Sequence, residues 1–311
     1  MLKAGNISVS SVKSIEVSRG LIMRWAIFTS GKEDWNVGDL KKEAGRQGVD
    51  CKVFSLTELV GRLGKEPKVS CGGQDLERFD ALLVRWTPGG SAEQIVFRMD
   101  VLHRLENLGI KVFNPVDAIE RCADKFYTCS LLEDAGIPVP KTVVAEKEKD
   151  ASRAFEELGD VVVKPLFGSL GTGMLRVKEE DLAYRVFSAL EFGRYIYYIQ
   201  EFIPHENRDI RSFVLDGDII GTMERISDNW KTNIAKGGKG RKCNLSEELK
   251  DVSKKSLDIL GCEYAGVDIV ETEDEFYVVE VNGIPGWKKL QSVTDINIAE
   301  KIVNYLKNSL Y

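Results

Sequence analysis

The spacing of apolar and polar positions in the first third of the chain predicts strands that alternate with helices. Short apolar runs predict strands at residues 24–29, 51–54, 81–85 and 111–113. Helical patterns occupy residues 37–47 and 93–108 between them. This order is typical of a parallel α/β sheet, in which ligands bind at the carboxyl ends of strands. Arg85 stands at such an end and is a candidate anion contact, although a surface arginine is an equally good interpretation.

From Asn114 onward, the pattern of apolar and polar residues predicts strands more frequently. Helices are predicted at 116–122, 125–135, 151–158, 246–260 and 296–310. Strands are predicted at 142–145, 161–164, 174–177, 195–203, 209–214, 218–225, 265–270 and 278–282. The basic, glycine-rich stretch 230–240 resembles a disordered loop, and 287–290 is predicted to be a further loop.

The last two predicted strands carry three oxygen-bearing side chains among valines. The period of two places Glu280 and Asn282 on one face of the final strand. Val279 and Val281 then point into a core. An acidic turn predicts a hairpin that sets Asp268 opposite Glu280. Two carboxylates and an amide on one face suit Mg²⁺, whereas a solvated acidic edge is the alternative.

A glycine-rich stretch between two predicted strands is the second chemical feature. Gly168, Gly171 and Gly173 let backbone N–H groups approach phosphate oxygens closely. The stretch lacks the lysine and the following helix of a P-loop, so a hairpin that closes over a nucleotide fits it better. Lys164 supports this interpretation, because a lysine at the end of a valine run needs an anionic partner. A mobile turn without a ligand is the alternative.

The aromatic strand 195–203 ends in a group of residues that would suit a purine. Glu201, Phe202 and Ile203 would supply a hydrogen-bonding edge and an apolar slot. Without further context, an ordinary core strand is the simpler interpretation.

Composition narrows the classes of function. The 311 residues carry a formal net charge of −6, which argues against a nucleic-acid partner. No apolar run reaches the roughly 18 residues of a membrane span, so no membrane partner is expected. The six cysteines form no C-x-x-C pair and suit a reducing cytoplasm. We expect residues 1–22 to be a poorly ordered extension, with Met23 as the candidate true start.

Together these motifs resemble those of RimK-like enzymes in the ATP-grasp superfamily of carboxylate–amine ligases. The resemblance covers residues 24–310 and is densest between Asn114 and Asn282. The resemblance rests on nine short motifs along the chain. They are Asp124-Lys125, Val163-Lys164-Pro165, Gly168–Gly173, Gln200-Glu201-Phe202-Ile203, Asp209-Ile210-Arg211, Glu224-Arg225, Thr232-Asn233 with Gly237-Gly238, Gly266-Val267-Asp268 and Glu280-Val281-Asn282. Each motif alone is weak, but their joint order along the chain is specific.

The resemblance implies an α/β chain with the ATP-grasp fold. Residues 23–113 would form a Rossmann-like parallel pre-ATP-grasp domain. Two α+β subdomains would then clasp ATP, at 114–195 with the glycine-rich flap and at 196–311 with the magnesium site. RimK-like enzymes are often dimers or tetramers, so a homo-oligomer is expected.

The resemblance also implies roles for individual residues. The phosphates of ATP would be bound by Lys125 and Lys164. The flap over them would be formed by Gly168, Ser169, Gly171 and Gly173. Adenine would be held by Gln200, Glu201, Phe202 and Ile203, and the ribose side by Asp209. The segment next to the phosphates would be Lys231, Thr232 and Asn233. Catalytic contacts to the transferred group would come from Arg211, Arg225 and Asn233. Two Mg²⁺ ions, or Mn²⁺, would be held by Asp268, Glu280 and Asn282.

One position departs from the family pattern. Lys231 stands where RimK-like enzymes often carry arginine, so the charge is kept but the bidentate geometry is lost.

The implied reaction joins a carboxylate to an amine at the expense of ATP. An acyl-phosphate and ADP form first, and the amine then displaces phosphate to give an amide. The partners would be a small-molecule acceptor carboxylate and L-glutamate. Residues 280–290 look most like the branch that adds glutamate to tetrahydromethanopterin in coenzyme biosynthesis. Residues 229–233 are similar to that branch and also to the lysine-biosynthesis ligases, and the acceptor loops would lie at 30–36 and 85–92.

Other acceptors and one other class of function stay open. The alternative acceptors are a deazaflavin coenzyme tail, a ribosomal protein C-terminus and an amino-group carrier protein. The non-enzyme alternative is a catalytically silent nucleotide-binding regulatory module.

Overall fold

The computed structural model describes residues 22–31, 34–168, 171–233 and 237–311. Residues 1–21 of the expected extension, and the flap residue Ser169, lie outside the described residues. Within those ranges, no helix is long and apolar enough to cross a membrane.

The N-terminal region is built on a parallel sheet. Its strands are β1 (Met23–Phe28), β2 (Val49–Phe54), β3 (Leu59–Gly61), β4 (Val69–Cys71), β5 (Gln74–Asp75), β6 (Ala81–Val84) and β7 (Lys111–Phe113). Its helices are α1 (Trp35–Arg46) and α2 (Ala92–Asn107). The order β2-β1-β6-β7, parallel throughout, confirms the predicted α/β arrangement. The small β3-β4-β5 sheet is not predicted, because strands of two or three residues are too short to show an alternation.

The middle region carries an antiparallel sheet of four strands in the order β10-β9-β11-β8. The strands are β8 (Thr142–Ala145), β9 (Val161–Lys164), β10 (Leu175–Val177) and β11 (Tyr197–Glu201). The helices are α3 (Val116–Ala123), α4 (Lys125–Asp134), α5 (Glu148–Leu158) and α6 (Glu180–Phe192). Helix α6 is absent from the sequence prediction. Its exposed Leu182, Tyr184 and Phe192 blur the periodicity of its two buried residues, Ala183 and Phe187.

The third region carries an antiparallel sheet of five strands in the order β14-β13-β12-β15-β16. The strands are β12 (Arg208–Leu215), β13 (Asp218–Ile226), β14 (Lys239–Lys242), β15 (Tyr264–Glu271) and β16 (Phe276–Asn282). The helices are α7 (Glu247–Leu260), α8 (Lys288–Gln291) and α9 (Ile298–Asn308).

Two stretches predicted as loops contain regular structure. Residues 230–240 include the start of β14, a basic edge strand that is ordered by backbone pairing with β13 rather than by apolar side chains. Residues 287–290 include most of α8, a single helical turn that packs on β13 and β14. One turn is too short to show a helical period.

The C-terminal helix returns to the N-terminal sheet. α9 packs along α1, and its Ile302 and Val303 are buried in one core with Trp25 and Ile27 of β1. The same core includes Trp287, which follows the end of β16. The first and third regions therefore share their apolar interior.

A bulge shifts the side-chain alternation between β15 and β16. Asp268 pairs with Glu280, as predicted, but the next pair along uses Val278 and skips Val279. Val281 is buried in the core, as predicted. The predicted core position of Val279 is wrong: Val278 is buried instead, and Val279 lines a cleft. Val279 and Glu280 therefore face this cleft consecutively.

Candidate active site

A cleft of about 720 Å³, partly open to solvent, lies between the four-stranded sheet of the middle region and the five-stranded sheet. Most of the predicted site residues line it, namely Lys125, Lys164, Gln200, Glu201, Phe202, Ile203, Asp209, Arg225, Lys231, Thr232, Asn233, Asp268 and Glu280. Arg211 and Asn282 belong to the five-stranded sheet but do not line the cleft.

The register of the five-stranded sheet sets several site residues in one row. Lys242 pairs with Met223, and Met223 pairs with Arg211. Arg211 in turn pairs with Asp268, which pairs with Glu280. Directly opposed residues point to the same face of a sheet. The row therefore places an arginine and two carboxylates side by side on the face that carries the cleft.

Asp268 is held by two guanidinium groups. It is only 2% exposed. Arg211 donates hydrogen bonds from Nε and, at 2.8 Å, from Nη2, and Arg225 Nη2 lies 2.9 Å from Oδ1. Gly266 makes room for this arrangement, because a Cβ there would overlap the Arg211 guanidinium.

Arg225 also binds Asp209, so that one guanidinium joins two buried carboxylates. Asp209 Oδ1 accepts from Arg225 Nε at 2.6 Å, and Oδ2 accepts from Nη2 at 2.7 Å and from the Thr232 hydroxyl at 2.5 Å. Burial opposes the charge on Arg225, but attraction from Asp268 and Asp209 outweighs it and raises the pKa of the guanidinium. Both oxygens of Asp209, the predicted ribose contact, are thus bonded within the protein.

The donors on β15 and β16 suit a hard metal ion. Asp268 and Glu280 are directly opposed, and Asn282 lies two residues further along the strand, opposite Gly266. Glu280 is half-buried, with Oε1 3.8 Å from Lys125 Nζ. Two carboxylates and an amide oxygen match the ligand chemistry of Mg²⁺. The number of ions stays a prediction.

Three lysines at the cleft contact neutral oxygen atoms. The pairs are Lys125 Nζ with the Gly168 carbonyl (2.6 Å), Lys164 Nζ with Gln200 Oε1 (2.5 Å) and Lys231 Nζ with the Met174 carbonyl (2.7 Å). Burial lowers the pKa of Lys164, and the charge of Glu280 opposes that change. Phosphate oxygens would be stronger partners for these lysines than neutral oxygens are.

The glycine-rich flap reaches across to the segment that follows β13. Gly171 and Gly173 have φ values of +66° and +78°, in the left-handed region that favours glycine. A Cβ at Gly171 would overlap the Asn233 side chain. Together with the Lys125–Gly168 bond, this contact holds the described part of the flap over the cleft.

Apolar side chains in the lining of the cleft form a slot beside a backbone edge. The slot is lined by Val162, Met174, Val270 and Val279, and the edge is formed by residues 201–203. The N–H of Phe202 donates to the Asp160 carbonyl at 2.8 Å. Its ring stacks 3.3 Å from the Arg176 guanidinium and meets Trp230 edge-on at 6.1 Å. This geometry fits a planar base.

Arg85 does not reach the cleft. It is buried, with Nη1 donating to the Tyr264 hydroxyl at 2.6 Å and Nη2 donating to the Pro285 carbonyl at 2.7 Å. Its guanidinium lies 4.7 Å from the Trp287 ring. The candidate anion contact is therefore a buried link between β6 and the segment after β16. In the expected acceptor loops, Trp35 and Trp86 are exposed.

No role is predicted from the sequence for Asn114. Asn114 is fully buried and makes four hydrogen bonds. Its amide donates to the Tyr264 and Gly283 carbonyls at 2.8 and 2.6 Å, and its oxygen accepts from the N–H groups of Glu263 and Tyr264. Its position directly after a buried strand is the only signal in the sequence.

Family comparison agrees with this fold and cleft. Residues 23–119 match the RimK PreATP-grasp domain, and residues 122–306 match the RimK-like ATP-grasp domain. The chain therefore belongs to the RimK-like ATP-grasp family, a family of ligases whose fold uses ATP. This confirms the predicted fold and enzyme class.

Individual relatives extend the comparison. The chain is 37% identical over 297 residues to a tetrahydromethanopterin:α-L-glutamate ligase of Methanocaldococcus jannaschii, which covers 92% of this chain and 100% of that protein. It is 39% identical over 210 residues to the α-aminoadipate–LysW ligase LysX of Sulfurisphaera tokodaii, covering 65% and 73%. Among solved structures, the ATP-grasp ligase PsnB complexed with a minimal precursor superposes with a TM-score of 0.73 at 21% identity, covering 93% of this chain and 99% of that one.

Proposed function

We propose that this protein is an ATP-dependent ligase that adds L-glutamate to tetrahydromethanopterin, in coenzyme biosynthesis. The choice of tetrahydromethanopterin as the acceptor is supported by sequence similarity along most of the chain. Relatives named tetrahydromethanopterin:α-L-glutamate ligase are 34–37% identical to it over 91–92% of its length. The cleft supports the reaction, because lysines with neutral partners and two opposed carboxylates face the same space.

The described contacts suggest how ATP would be held. Its phosphates would replace the neutral oxygens that now contact Lys125, Lys164 and Lys231. The base would lie in the apolar slot against the backbone edge at 201–203. Thr232 and Asn233 would then lie beside the phosphates, under the flap.

Asp268, Glu280 and Asn282 would hold two Mg²⁺ ions, which when bound neutralise charge on the phosphates. Arg211 and Arg225 fix the Asp268 carboxylate between them. They would therefore orient a metal ligand and also place positive charge near the transferred group.

The reaction would proceed through two displacements. An oxygen of the acceptor carboxylate attacks the γ-phosphorus of ATP, the bond to the β,γ-bridging oxygen breaks, and ADP leaves. The amine nitrogen of glutamate then attacks the acyl carbon, phosphate departs, and the amine proton passes to solvent. The residues of the cleft position the reactants and neutralise charge, and none of them forms a covalent intermediate.

An amino-group carrier protein is the second candidate acceptor. α-Aminoadipate–LysW ligases also match the chain, one at 39% identity over 210 residues and another at 34% over 88% of this chain. We also expect a homo-oligomer, dimeric or tetrameric, which light scattering would measure.

The deciding experiment measures ADP release with ATP, Mg²⁺, glutamate and each acceptor in turn, with mass spectrometry of the products. We expect tetrahydromethanopterin alone to stimulate ADP release and to gain a glutamyl residue. The matched inactive control is Glu280→Ala, which should keep the fold and lose turnover. Stimulation by a carrier protein instead would overturn the acceptor, and ATP binding without stimulation by any acceptor would overturn the ligase proposal.

A further inference from the structure

Three exposed lysines lie together on the five-stranded sheet, beyond the lining of the cleft. They are Lys242 at the end of β14, and Lys288 and Lys289 on α8, and we call them the lysine cluster. Among the described residues, one carboxylate lies within 4 Å of them, that of Asp295, which is fully exposed and 3.8 Å from Lys242 Nζ. In a chain with a net charge of −6, such a concentration of positive charge suits an anionic ligand.

Strand register places Lys242 on the face of the sheet that carries the cleft. Lys242 pairs with Met223, and the same row continues through Arg211 to Asp268 and Glu280. Directly opposed residues point to the same face. Neighbouring strands lie about 4.8 Å apart, so the three spacings from β14 to β15 separate the backbones of Lys242 and Asp268 by roughly 14 Å.

Helix α8 brings the other two lysines to this face. It packs on β13 and β14. A Cβ at Gly240 would overlap Met223 Sδ and would lie 3.3 Å from Lys289 Cγ. Gly240 pairs with Arg225, which lines the cleft. The stem of Lys289 therefore crosses the cleft face of β14, and Lys288 is its neighbour on the same helical turn.

The distance from the metal ligands decides what the lysine cluster can bind. A group that is held by Asp268 and Glu280 through a metal ion would lie several strand spacings from Lys242, which is too far for direct contact. A longer molecule that reacts at those carboxylates could reach the cluster with a second anionic group along the same face. Exposed charges each contribute little to binding, but three cations with a single exposed carboxylate beside them act together on one anion.

We propose that the lysine cluster binds an anionic group of the acceptor, a carboxylate or a phosphate, on the order of 10 Å from the carboxylate that reacts. The inference rests on the proposed function, because it takes Asp268 and Glu280 as the place of reaction. An acceptor that carries only the reacting carboxylate gains nothing from the cluster. The cluster therefore selects acceptors with more than one anionic group.

The test compares kcat/KM for tetrahydromethanopterin between the native protein and a variant that combines Lys242→Gln, Lys288→Gln and Lys289→Gln, at increasing concentrations of NaCl. At low salt, kcat/KM of the variant should be about tenfold lower, mainly through KM, and the difference should shrink as salt screens the charges. Affinity for ADP–Mg²⁺, measured by calorimetry, should not change. Prior treatment of the acceptor with alkaline phosphatase identifies the anion. The difference disappears if the anion is a phosphate monoester and persists if it is a carboxylate.

The matched control combines Lys239→Gln, Lys250→Gln and Lys255→Gln, which remove the same charge from the opposite face of the sheet. Lys239 alternates with Gly240 along β14. The other two lie on α7, which shares its core with Ile210 and Ile269 on that face. This control should keep the native kcat/KM.

A native kcat/KM in the lysine-cluster variant, or an equal loss in the control, would overturn the inference. Loss of ADP–Mg²⁺ affinity in the cluster variant, or a loss of activity confined to a carrier-protein acceptor, would also overturn it. Turnover of tetrahydromethanopterin that does not depend on the cluster would leave the proposed function intact. Native protein without turnover of tetrahydromethanopterin would overturn the proposed acceptor and this inference together.

Discussion

The positively charged side chains at the cleft have different partners on its two sides. The lysines donate hydrogen bonds to neutral oxygens of the flap and the middle region, at Gly168, Met174 and Gln200, and Lys125 also lies 3.8 Å from a carboxylate oxygen of Glu280. On the five-stranded sheet, Arg211 and Arg225 are bonded to buried carboxylates. A phosphate can displace a neutral oxygen at little cost, whereas separating a buried ion pair is expensive. Under the proposed function, the lysines would therefore bind the phosphates, and the arginines would organise the carboxylates.

The largest expected effect is on stability and follows from removing Arg225. Arg225→Met leaves Asp209 and Asp268 buried beside each other with one of their cations gone. The free energy of unfolding should fall by about 3–5 kcal/mol, measured by urea denaturation. Arg241→Met is the control on the same sheet, because Arg241 pairs with Glu224 while its side chain is 67% exposed. Equal effects of the two substitutions would contradict the division between the sheets.

Removing a lysine should weaken nucleotide binding and leave the fold intact. Lys164→Met gives up a charge-assisted bond to phosphate, and affinity for ADP–Mg²⁺ should fall about 10- to 100-fold by calorimetry. The melting temperature should change little, because among the described residues Lys164 gives up one hydrogen bond, to Gln200. Lys178→Met is the control, since Lys178 directly follows β10 of the same sheet and pairs with Asp160. A collapse in stability without loss of affinity would reverse the assignment.

The lowered pKa of Lys164 predicts a pH dependence. Its charge is disfavoured by burial and further affected by Glu280, Cys129, Lys125 and Asp268. A bound phosphate would raise the pKa again, so binding takes up a proton once the pH exceeds the pKa of the free protein. Affinity should therefore be constant below that pKa and fall up to tenfold per pH unit above it. Lys164→Arg, which does not titrate there, should remove this decline, and identical profiles would contradict the prediction.

The smallest effect is expected in the flap. Gly171→Ala adds a Cβ at φ +66° against Asn233. It should disfavour the position of the flap over the cleft and raise the KM for ATP about fivefold, the equivalent of roughly 1 kcal/mol. Gly45→Ala on α1, where an added Cβ meets no described atom within 4 Å, is the control. An unchanged KM in Gly171→Ala would show that the flap does not need this contact.

Secondary structure is predicted correctly from the sequence where the period of apolar residues continues without interruption. β8 and β9 are predicted to the residue, and so is the pairing of Asp268 with Glu280. The placement of Val279 fails because a bulge breaks the period locally. The prediction misses helix α6 because exposed apolar residues obscure the periodicity of its buried face.

For the candidate site, prediction from the sequence has a different limit. Most residues that the family resemblance singles out line one cleft, but the resemblance does not reveal their hydrogen-bond partners. Asp209 is bonded by Arg225 and Thr232, 16 and 23 residues away, and these bonds depend on strand register.

The hydrogen bonds of Asn114 have consequences for truncation of the chain and for its thermal unfolding. Its hydrogen bonds connect the end of β7 to β15 and to the residue directly after β16. A fragment that stops before Asn114 would also lose α9 from its core. The N-terminal region is therefore not a detachable module. Residues 23–113 alone should remain unfolded, and in the full chain calorimetry should find this region and the five-stranded sheet melting in one shared transition.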